Sequence, residues 1–425
     1  MQSTINRTQL FRASCLSLLV TSLSFGIRAG IMGDLGTQFH LDATQLGLIT
    51  ATAFWGFPIA VVIGGIVVDI IGMKRLLVLA FLFHLTGILL TIFAGGFWTL
   101  FISTLTIGIA NGTVEAACNP LVTTLYPESK TTKLNHFHLW FPGGIFIGTL
   151  IVLLFGKYNL SWQIQVGTML IPTLIYGYLF SKLEFPVTER VSSGVSMGGM
   201  YKALASPLFI FMFVCMCGTA ITELYTEQWV PVLLKNIGNP ILIVTATSGI
   251  MVLGRGLAKP VLTKFPPQVL LLISATIAAI GLYLLYTGTG NVFVDAIVFG
   301  IGVCYFWPTM LGFVNTNLPK TGAIGLNLMG GAGMFAVSLY TIYMGKYIDS
   351  IVAGKLPGGT TLDNAVTAAP GSALEAAYTQ AKAGAGIDVL HLTSYIPIGL
   401  VIAFIGLVVY MRGRKATPIQ EVAAV

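Results

Sequence analysis

Long apolar stretches, separated by short polar segments, make up most of this chain. A helix needs about 20 mainly apolar residues to cross a bilayer, and twelve stretches approach or exceed that length. They cover residues 10–36, 44–71, 76–94, 97–124, 136–156, 162–181, 208–235, 239–263, 268–288, 291–316, 322–347 and 392–411. The pattern predicts an all-α integral membrane protein with twelve transmembrane helices.

Two longer polar segments divide the apolar pattern. Residues 182–206 separate spans six and seven, and their Lys, Glu, Arg, Ser and Gly content is typical of a linker. We therefore predict a first six-helix bundle over residues 1–181, a cytoplasmic linker over 182–206 and a second bundle over 207–425. Residues 348–391 form the second polar segment, interpreted as an extracytoplasmic loop in which "GSALEAAYTQAKAGAG" favours a short surface helix.

The two halves resemble each other at an offset of 192 residues. The matches are sparse but share one register, and span four falls on span ten and span five on span eleven. They pair Gly108-Ile109 with Gly300-Ile301, Pro127 with Pro319, Leu134-Asn135 with Leu326-Asn327 and Gly64 with Gly256. Repeated six-helix halves around a central site are typical of secondary transporters.

Composition supports a membrane protein and excludes several other classes. The chain is 55% hydrophobic and only 9% charged, whereas soluble domains carry about 25% charged residues. The five cysteines lie in apolar stretches without metal-ligand or disulfide spacing. A phosphate-binding loop, an HExxH motif and a nucleophile elbow are all missing from the sequence. We therefore expect no enzyme, no cofactor, no metal site and no nucleic-acid partner.

The distribution of lysine and arginine predicts the orientation. These residues concentrate in the segments that are cytoplasmic when the N-terminus is inside, as expected from the excess of basic residues in cytoplasmic loops. Both termini are then cytoplasmic, in a bacterial-type inner membrane. Arg28 and Arg255 are left inside predicted spans.

An ionisable residue in the fourth span is the main functional candidate. Asn111, Glu115 and Asn119 are spaced by four and project from one helical face. A carboxyl at bilayer depth costs about 2.5–3.5 kcal/mol on insertion scales and marks a functional site by default. Burial favours its protonated form, so Glu115 is predicted to bind a proton on one side of the membrane and release it on the other.

The segment after span two, "GGIVVDIIGMKR" at residues 64–75, resembles the cytoplasmic signature of the major facilitator superfamily. The residues that fit are Gly65, Asp69, Gly72, Lys74 and Arg75, although Ile70 replaces the usual basic residue. The resemblance implies a role in gating. The equivalent stretch of the second half, "GRGLAKPVLTK", keeps a basic residue, Arg255, without an acid. The implied fold is two pseudo-symmetric six-helix bundles.

A narrower resemblance concerns residues 114–144. "VEAACNPLVTTLYPES" followed by "LNHFHLWFPGG" is similar to the fourth and fifth helices of the fucose:proton symporter family. This similarity implies proton coupling at Glu115, a second acid on helix one near Asp34, and a sugar pocket that includes Asn135. The family often carries further amides on helix five, where this chain has His138, Trp140 and Phe141. The substrate contacts must therefore differ.

Further candidate residues lie in four other spans. Arg28 precedes Asp34 on span one and is predicted to pair with a carboxylate or bind substrate. The stretch "TELYTEQWVP" on span seven contains Glu223, Glu227, Gln228 and Trp229, a combination suited to a sugar or a sodium ion. Tyr305 and Trp307 on span ten and Asn327 on span eleven are weaker candidates for lining the cavity.

Together these features predict a monomeric secondary transporter that imports a monosaccharide by proton symport with alternating access. The predicted substrate contacts are Asn111, Asn119, Asn135, His138, Glu223, Glu227, Gln228, Trp229, Tyr305, Trp307, Asn327 and Arg28. Sodium-coupled symport and sugar uniport are the nearest alternatives. Drug or metabolite efflux and a ligand-sensing membrane protein are the others.

Overall fold

The computed structural model describes residues 5–126, 133, 136–187, 202–233, 241–257, 260–261, 264–288, 290–318 and 321–413. All of the regular structure in these residues is helical. The predicted residue Asn135 and most of the predicted linker, residues 188–201, lie outside the described residues.

The first half contains seven described helices that form six spans. They are α1 (Arg7–Gln38), α2 (Ala43–Ile71), α3 (Met73–Ile92), α4 (Phe97–Leu125), α5 (Trp140–Lys157), α6 (Trp162–Gly167) and α7 (Leu170–Lys182). A tight turn separates α6 from α7, and the two together form one span, Trp162–Lys182.

The second half begins with a span that changes its helical geometry midway. Its helix α8 (Pro207–Ala220) passes through a π-helical turn, Ile221–Tyr225, into α9 (Thr226–Leu233). The remaining helices are α10 (Ile241–Gly256), α11 (Pro267–Thr287), α12 (Val292–Val303), α13 (Phe306–Asn317), α14 (Gly322–Lys355), α15 (Leu362–Val366) and α16 (Ala373–Arg412). Extra-wide π turns of this kind occur frequently at functional sites.

Eleven segments of the described residues are long and apolar enough to cross a membrane, and α10 is a shorter apolar helix. With α10 included, their order matches the twelve predicted spans. The protein is therefore an all-helical, multi-pass membrane protein of two six-helix halves, as the sequence predicted.

The segment 348–391 contains the helix predicted in "GSALEAAYTQAKAGAG", but it is more helical than the predicted loop. Helix α14 continues to Lys355 and α16 already begins at Ala373, with the short helix α15 between them. Most of the predicted loop is therefore helical and extends spans eleven and twelve. Its Ala-rich composition is the physical reason, because alanine has the highest helix propensity.

Capping residues explain several helix boundaries. The side chain of Asp42 accepts a hydrogen bond from Gln45 N, and the side chain of Gln45 accepts one from Asp42 N, so both amides are satisfied at the start of α2. Ser206 caps α8 with Pro207 at its first position. Gly72 has φ +84° and makes the turn from α2 to α3.

Small residues let helices within each bundle approach closely. A Cβ atom at Gly108 on α4 would lie 2.8 Å from Ala53 Cα on α2. In the second half, a Cβ atom at Gly302 on α12 would lie 2.6 Å from Ala278 Cα on α11. Such contacts are typical of helix packing in membranes, where dispersion forces act over short distances.

The two halves meet along a seam between α2 and α14. A Cβ atom at Gly47 would lie 3.1 Å from Thr341 O, one at Gly331 would lie 3.4 Å from Pro58 Cβ, and one at Gly65 would lie 3.2 Å from Asn327 Nδ2. These contacts are distributed along both helices. Helix α1 also packs on α9, and α5 packs on α10.

Asp349 adds a polar contact at one end of this seam. Its Oδ1 accepts a hydrogen bond from Ala43 N at 3.1 Å, and its Oδ2 accepts one from Thr44 N at 2.6 Å. A carboxylate of α14 therefore caps the N-terminus of α2, where the helix dipole favours negative charge. This contact joins the halves at the end that the predicted orientation places outside.

Candidate functional site

Glu115 forms a polar cluster with Asn119 and His138 in the first bundle. Asn119 Nδ2 donates to Glu115 Oε2 at 2.8 Å, and His138 Nε2 lies 3.1 Å from Asn119 Oδ1. The side chain of Glu115 is 10% exposed and that of His138 is 27% exposed. The predicted acid therefore has polar partners and limited access to solvent.

The hydrogen bonds of Asn119 determine where the protons of this cluster lie. Because its amide donates to Glu115, Asn119 Oδ1 accepts, and His138 Nε2 must carry the hydrogen. The other ring nitrogen, Nδ1, is 3.9 Å from Glu115 Oε1. A carboxylate oxygen and an imidazole nitrogen without hydrogen are both acceptors. The cluster therefore places two acceptors side by side.

Asn111 belongs to a different network, although it lies one turn from Glu115. Its Oδ1 is 2.8 Å from His84 Nε2, and its Nδ2 donates to Ser24 Oγ at 3.3 Å. His84 Nδ1 lies 2.7 Å from the hydroxyl of Tyr176. These side chains are buried between α1, α3, α4 and α7. Asn111 therefore holds the first bundle together, in contrast to the predicted substrate contact.

Glu223 pairs with Arg255 inside the second bundle. Arg255 Nη2 donates to Glu223 Oε1 at 3.1 Å, and Arg255 Nε donates to Cys304 O at 3.1 Å. Glu223 lies within the π-helical turn. Arg255, predicted as a gating residue of the cytoplasmic end, is 10% exposed and positioned by this acid. An arginine inside an apolar span was the sequence signal for such a pair.

Glu227 lies one turn further and faces apolar side chains. Neither carboxyl oxygen has a hydrogen-bond partner. Its surroundings in the second bundle are mainly apolar, with two hydroxyl-bearing residues among them: Val230, Ile243, Val244, Leu285, Phe299, Thr226 and Thr247. An isolated carboxylate is very unfavourable in such surroundings.

Gln228 and Trp229 contact different groups from those that Glu223 and Glu227 contact. Gln228 Oε1 accepts a hydrogen bond from Arg28 Nε at 3.2 Å, and its Nε2 donates to Phe25 O at 2.9 Å. The Trp229 ring stacks on Tyr225 with centroids 5.9 Å apart. The four predicted residues of span seven thus serve different contacts, and Arg28 binds an amide where an acid was the predicted partner.

The candidates on spans ten and eleven pack within the second bundle or at the seam. Tyr305 donates its hydroxyl hydrogen to Gly254 O at 2.9 Å. The Trp307 ring lies against Gly330 and Gly333 of α14. Asn327 lies at the α2–α14 seam beside Gly65. None of these three forms a hydrogen bond or an ion pair with Glu115, whose polar partners are Asn119 and His138.

The remaining candidates lie toward the helix ends. Asp34 is exposed near the end of α1, Lys74 is half-buried and Arg75 is exposed on α3. Asp69 belongs to the last turn of α2, and its side chain lies outside the described residues. Gly72 makes the turn that its predicted role requires.

Two contacts near the predicted site residues were not predicted, although His84 was expected to be a core or pore histidine. His84 and Tyr176 satisfy Asn111, and Asp349 joins the two halves. For the first contact, the position of His84 within a predicted span was a signal in the sequence. For the second no signal was available, because capping depends on which helices meet. In the described residues no three His, Cys, Asp or Glu side chains form a metal-binding group.

The sequence similarity to curated proteins covers only part of each relative. A D-xylose transporter of Levilactobacillus brevis is 26% identical over 151 residues, which are 35% of this chain and 33% of the relative. A protein TsgA homolog of Buchnera aphidicola subsp. Schizaphis graminum is 26% identical over 188 residues, 44% and 48% of the two chains. The chain thus spans a third to a half of these relatives.

Solved structures match over nearly the whole fold. A bacterial homolog of the human lysosomal transporter Spinster has a TM-score of 0.74 at 14% identity, covering 97% of this chain and 99% of the other. A D-xylose-proton symporter has a TM-score of 0.68 at 14% identity, covering 91% and 97%. At such identity the likeness shows the fold alone.

The family is shown by sequence as well as by fold. The profile described as Major Facilitator Superfamily matches residues 14–341, which is well over half of the chain. With its two six-helix halves and its acid-bearing fourth span, the chain belongs to the Major Facilitator Superfamily.

Proposed function

We propose that this protein is a proton-coupled importer of a monosaccharide or a similar polyhydroxyl solute. The observation that carries the proposal is the facing pair of Glu115 Oε1 and His138 Nδ1 at 3.9 Å, which favours one proton between two acceptors. Protonation from outside and release inside, linked to solute binding, gives symport. Asn119 and His138 then serve as solute contacts that sense the protonation of Glu115.

Several comparisons support a sugar as the solute. One sequence relative is named a D-xylose transporter, and one structural neighbour a D-xylose-proton symporter. Another structural neighbour is named a nucleoside transporter, with a TM-score of 0.67 at 15% identity. Sugars and nucleosides share hydroxyl groups, which amide and imidazole side chains hydrogen-bond.

The proposal includes a location and an orientation. We place the protein in a bacterial-type inner membrane with both termini in the cytoplasm, following its lysine and arginine distribution. We further propose that it acts as a monomer, with H⁺ as the coupling ion. The two halves then rock about the α2–α14 seam to expose the site alternately to each side.

The test is uptake by the purified protein in liposomes. A panel of radiolabelled hexoses and pentoses is offered in sodium-free buffer, with and without an inward proton gradient. We expect one of them to accumulate only with the gradient. Glu115→Gln should abolish accumulation while sugar exchange continues, because a neutral amide mimics the protonated acid permanently.

Glu184→Gln is the matched control, since Glu184 is exposed beyond α7. It should accumulate sugar like the wild type. Proton coupling is wrong if accumulation persists in Glu115→Gln, or if the wild type accumulates sugar only after sodium is restored. Import of sugars is wrong if the wild type moves no member of the panel.

A further inference from the structure

Arg28 is a buried cation in the middle of a membrane-spanning helix. Its residue exposure is 7%. Nε donates to Gln228 Oε1 at 3.2 Å, and the guanidinium lies 4.9 Å from the ring centroid of Phe25. Gln228 is itself fixed by its bond to Phe25 O. One edge of the guanidinium is therefore held in place by neutral groups.

No carboxylate compensates this charge among the residues that the structure describes. The ion pairs found there join His138 to Glu115, Arg255 to Glu223 and Lys355 to Asp388. Arg28 Nη2 is buried without a hydrogen-bond partner. A guanidinium stays protonated in proteins, and a buried unpaired charge costs several kcal/mol. This arrangement is stable when an anion is supplied from elsewhere.

Space for such an anion exists beside Arg28. A cavity of about 40 Å³ in the first bundle is lined by Arg28, by the hydroxyl-bearing residues Ser24, Thr50, Thr91 and Thr104, and otherwise by apolar side chains. One water molecule needs about 10–15 Å³ on this measure. The cavity therefore accommodates a group of two or three heavy atoms, such as a carboxylate, and a sugar ring that carries this group must lie outside the cavity, on the side of Arg28 that faces Gln228.

Arg28 lies between the predicted outer side of the membrane and Glu115. Ser17 on α1 lies beside Cys118 on α4, and Ser24 lies beside Asn111. The two helices therefore run antiparallel. Glu115 is level with residue 20 of α1. At 1.5 Å per residue, Arg28 is about 12 Å further along the axis, toward the predicted outer side. It also lies where α1 meets α9 of the other half.

We infer that Arg28 binds the carboxylate of the transported solute, so that the natural substrate is an acidic monosaccharide such as a uronate. The inference rests on the proposed function and deepens it. The free Nη edge of an arginine matches a carboxylate with two parallel hydrogen bonds. Entry of one uronate with one proton moves no net charge, whereas entry of a neutral sugar with one proton does.

The test compares matched sugar pairs that differ only at C6. Uptake of radiolabelled galacturonate and galactose, and of glucuronate and glucose, is measured in proteoliposomes under an inward proton gradient. We expect a uronate to be accumulated and to outcompete its neutral partner by about 10- to 100-fold, the usual effect of a hydrogen bond to a charged group. An imposed membrane potential should leave uronate accumulation unchanged.

Variants of Arg28 then locate the effect. Arg28→Gln should remove the preference for the uronate, and Arg28→Lys should retain part of it because the charge remains. Arg412→Gln is the matched control, because Arg412 is exposed at the end of α16. The folded fraction of each variant is checked by size-exclusion chromatography, and Arg28→Lys serves if Arg28→Gln does not fold.

Three outcomes would overturn the inference. The first is accumulation of a neutral sugar that its uronate does not inhibit, which would leave the proton-sugar proposal intact. The second is a uronate preference that survives in both Arg28 variants. The third is a chloride requirement for neutral-sugar uptake that Arg28→Gln abolishes, which would assign the site to a free inorganic anion. Uronate uptake without proton dependence would instead contradict the proposed coupling alone.

Discussion

Glu223 and Glu227 lie one helical turn apart and yet occupy unlike surroundings. The first is paired with Arg255, and the second lies among mainly apolar side chains with no hydrogen bond to either carboxyl oxygen. Removing one member of a buried pair leaves an uncompensated charge, whereas removing an unpartnered acid leaves none. The two residues therefore differ in what they contribute to stability.

We expect Glu223→Gln to destabilise the protein by about 3–5 kcal/mol, because Arg255 is left buried and unpaired. Glu227→Met should be neutral or stabilising by about 1–3 kcal/mol, since it replaces an unsatisfied polar group. Thermal unfolding in detergent measures both. Equal losses in the two variants would contradict the surroundings described for Glu227.

Asn111 and Asn119 offer a second residue-scale comparison on one face of α4. Asn111→Leu should destabilise the first bundle by about 1–3 kcal/mol, because His84 and Ser24 lose their partner. Sugar affinity of the folded fraction should stay unchanged. Asn119→Leu should keep stability but weaken sugar binding and proton coupling. Calorimetric titration with the transported sugar separates the two effects, and a large affinity loss in stable Asn111→Leu would contradict the assignment.

At the scale of elements, the contact between Asp349 and the start of α2 holds the ends of two helices from different halves together. Such a cap satisfies two backbone amides that the helix itself leaves free. It acts only while α2 and α14 are adjacent. The cap therefore stabilises one arrangement of the halves over others.

Asp349→Asn should weaken this cap and open the seam more often, since an amide is a poorer acceptor than a carboxylate. The measurement is labelling of an Ala43→Cys variant by a membrane-impermeant maleimide, which should become faster, because Ala43 is buried at the cap and contributes only its backbone amide. Asp363→Asn, in the exposed first turn of α15, is the control and should leave labelling unchanged. Unchanged labelling in Asp349→Asn would argue against a gating contact.

Elements were easier to predict from sequence than their partners. Apolar length alone located the spans, and Gly72 marked a turn, because these properties are local. The segment 348–391 was misinterpreted since its small and polar residues are typical of loops, while its alanines favour helix. Helical spacing placed Asn111, Glu115 and Asn119 on one face of α4. Helix packing then buries Asn111 inside the first bundle, while Glu115 and Asn119 form a separate polar cluster, so one face carries two roles.

At the scale of the molecule, the α2–α14 seam runs along both halves and includes small residues on each side. Small residues permit close approach while offering little side-chain interlock. Such a surface is suited to a hinge about which rigid halves rotate. The structural neighbours named as transporters share this fold, for which we propose the rotation of the two halves.

We expect a disulfide across this seam to stop transport. A Cβ atom at Gly331 would lie 3.4 Å from Pro58 Cβ, close to the Cβ–Cβ separation of a disulfide, which suits a Pro58→Cys, Gly331→Cys pair. Oxidation should abolish sugar uptake and a reductant should restore it. The reduced double variant and each single variant are the controls, and the native thiols are mostly buried. Full uptake by the oxidised pair would contradict movement along the seam.

The great length of α16 has a practical consequence. With 40 residues at 1.5 Å each, it extends about 60 Å, twice the hydrocarbon thickness of about 30 Å. Together with the end of α14 it must project well beyond the lipid. In a 45.3 kDa protein otherwise hidden in a detergent micelle, this rod offers an epitope for an antibody fragment and a landmark for aligning single-particle images.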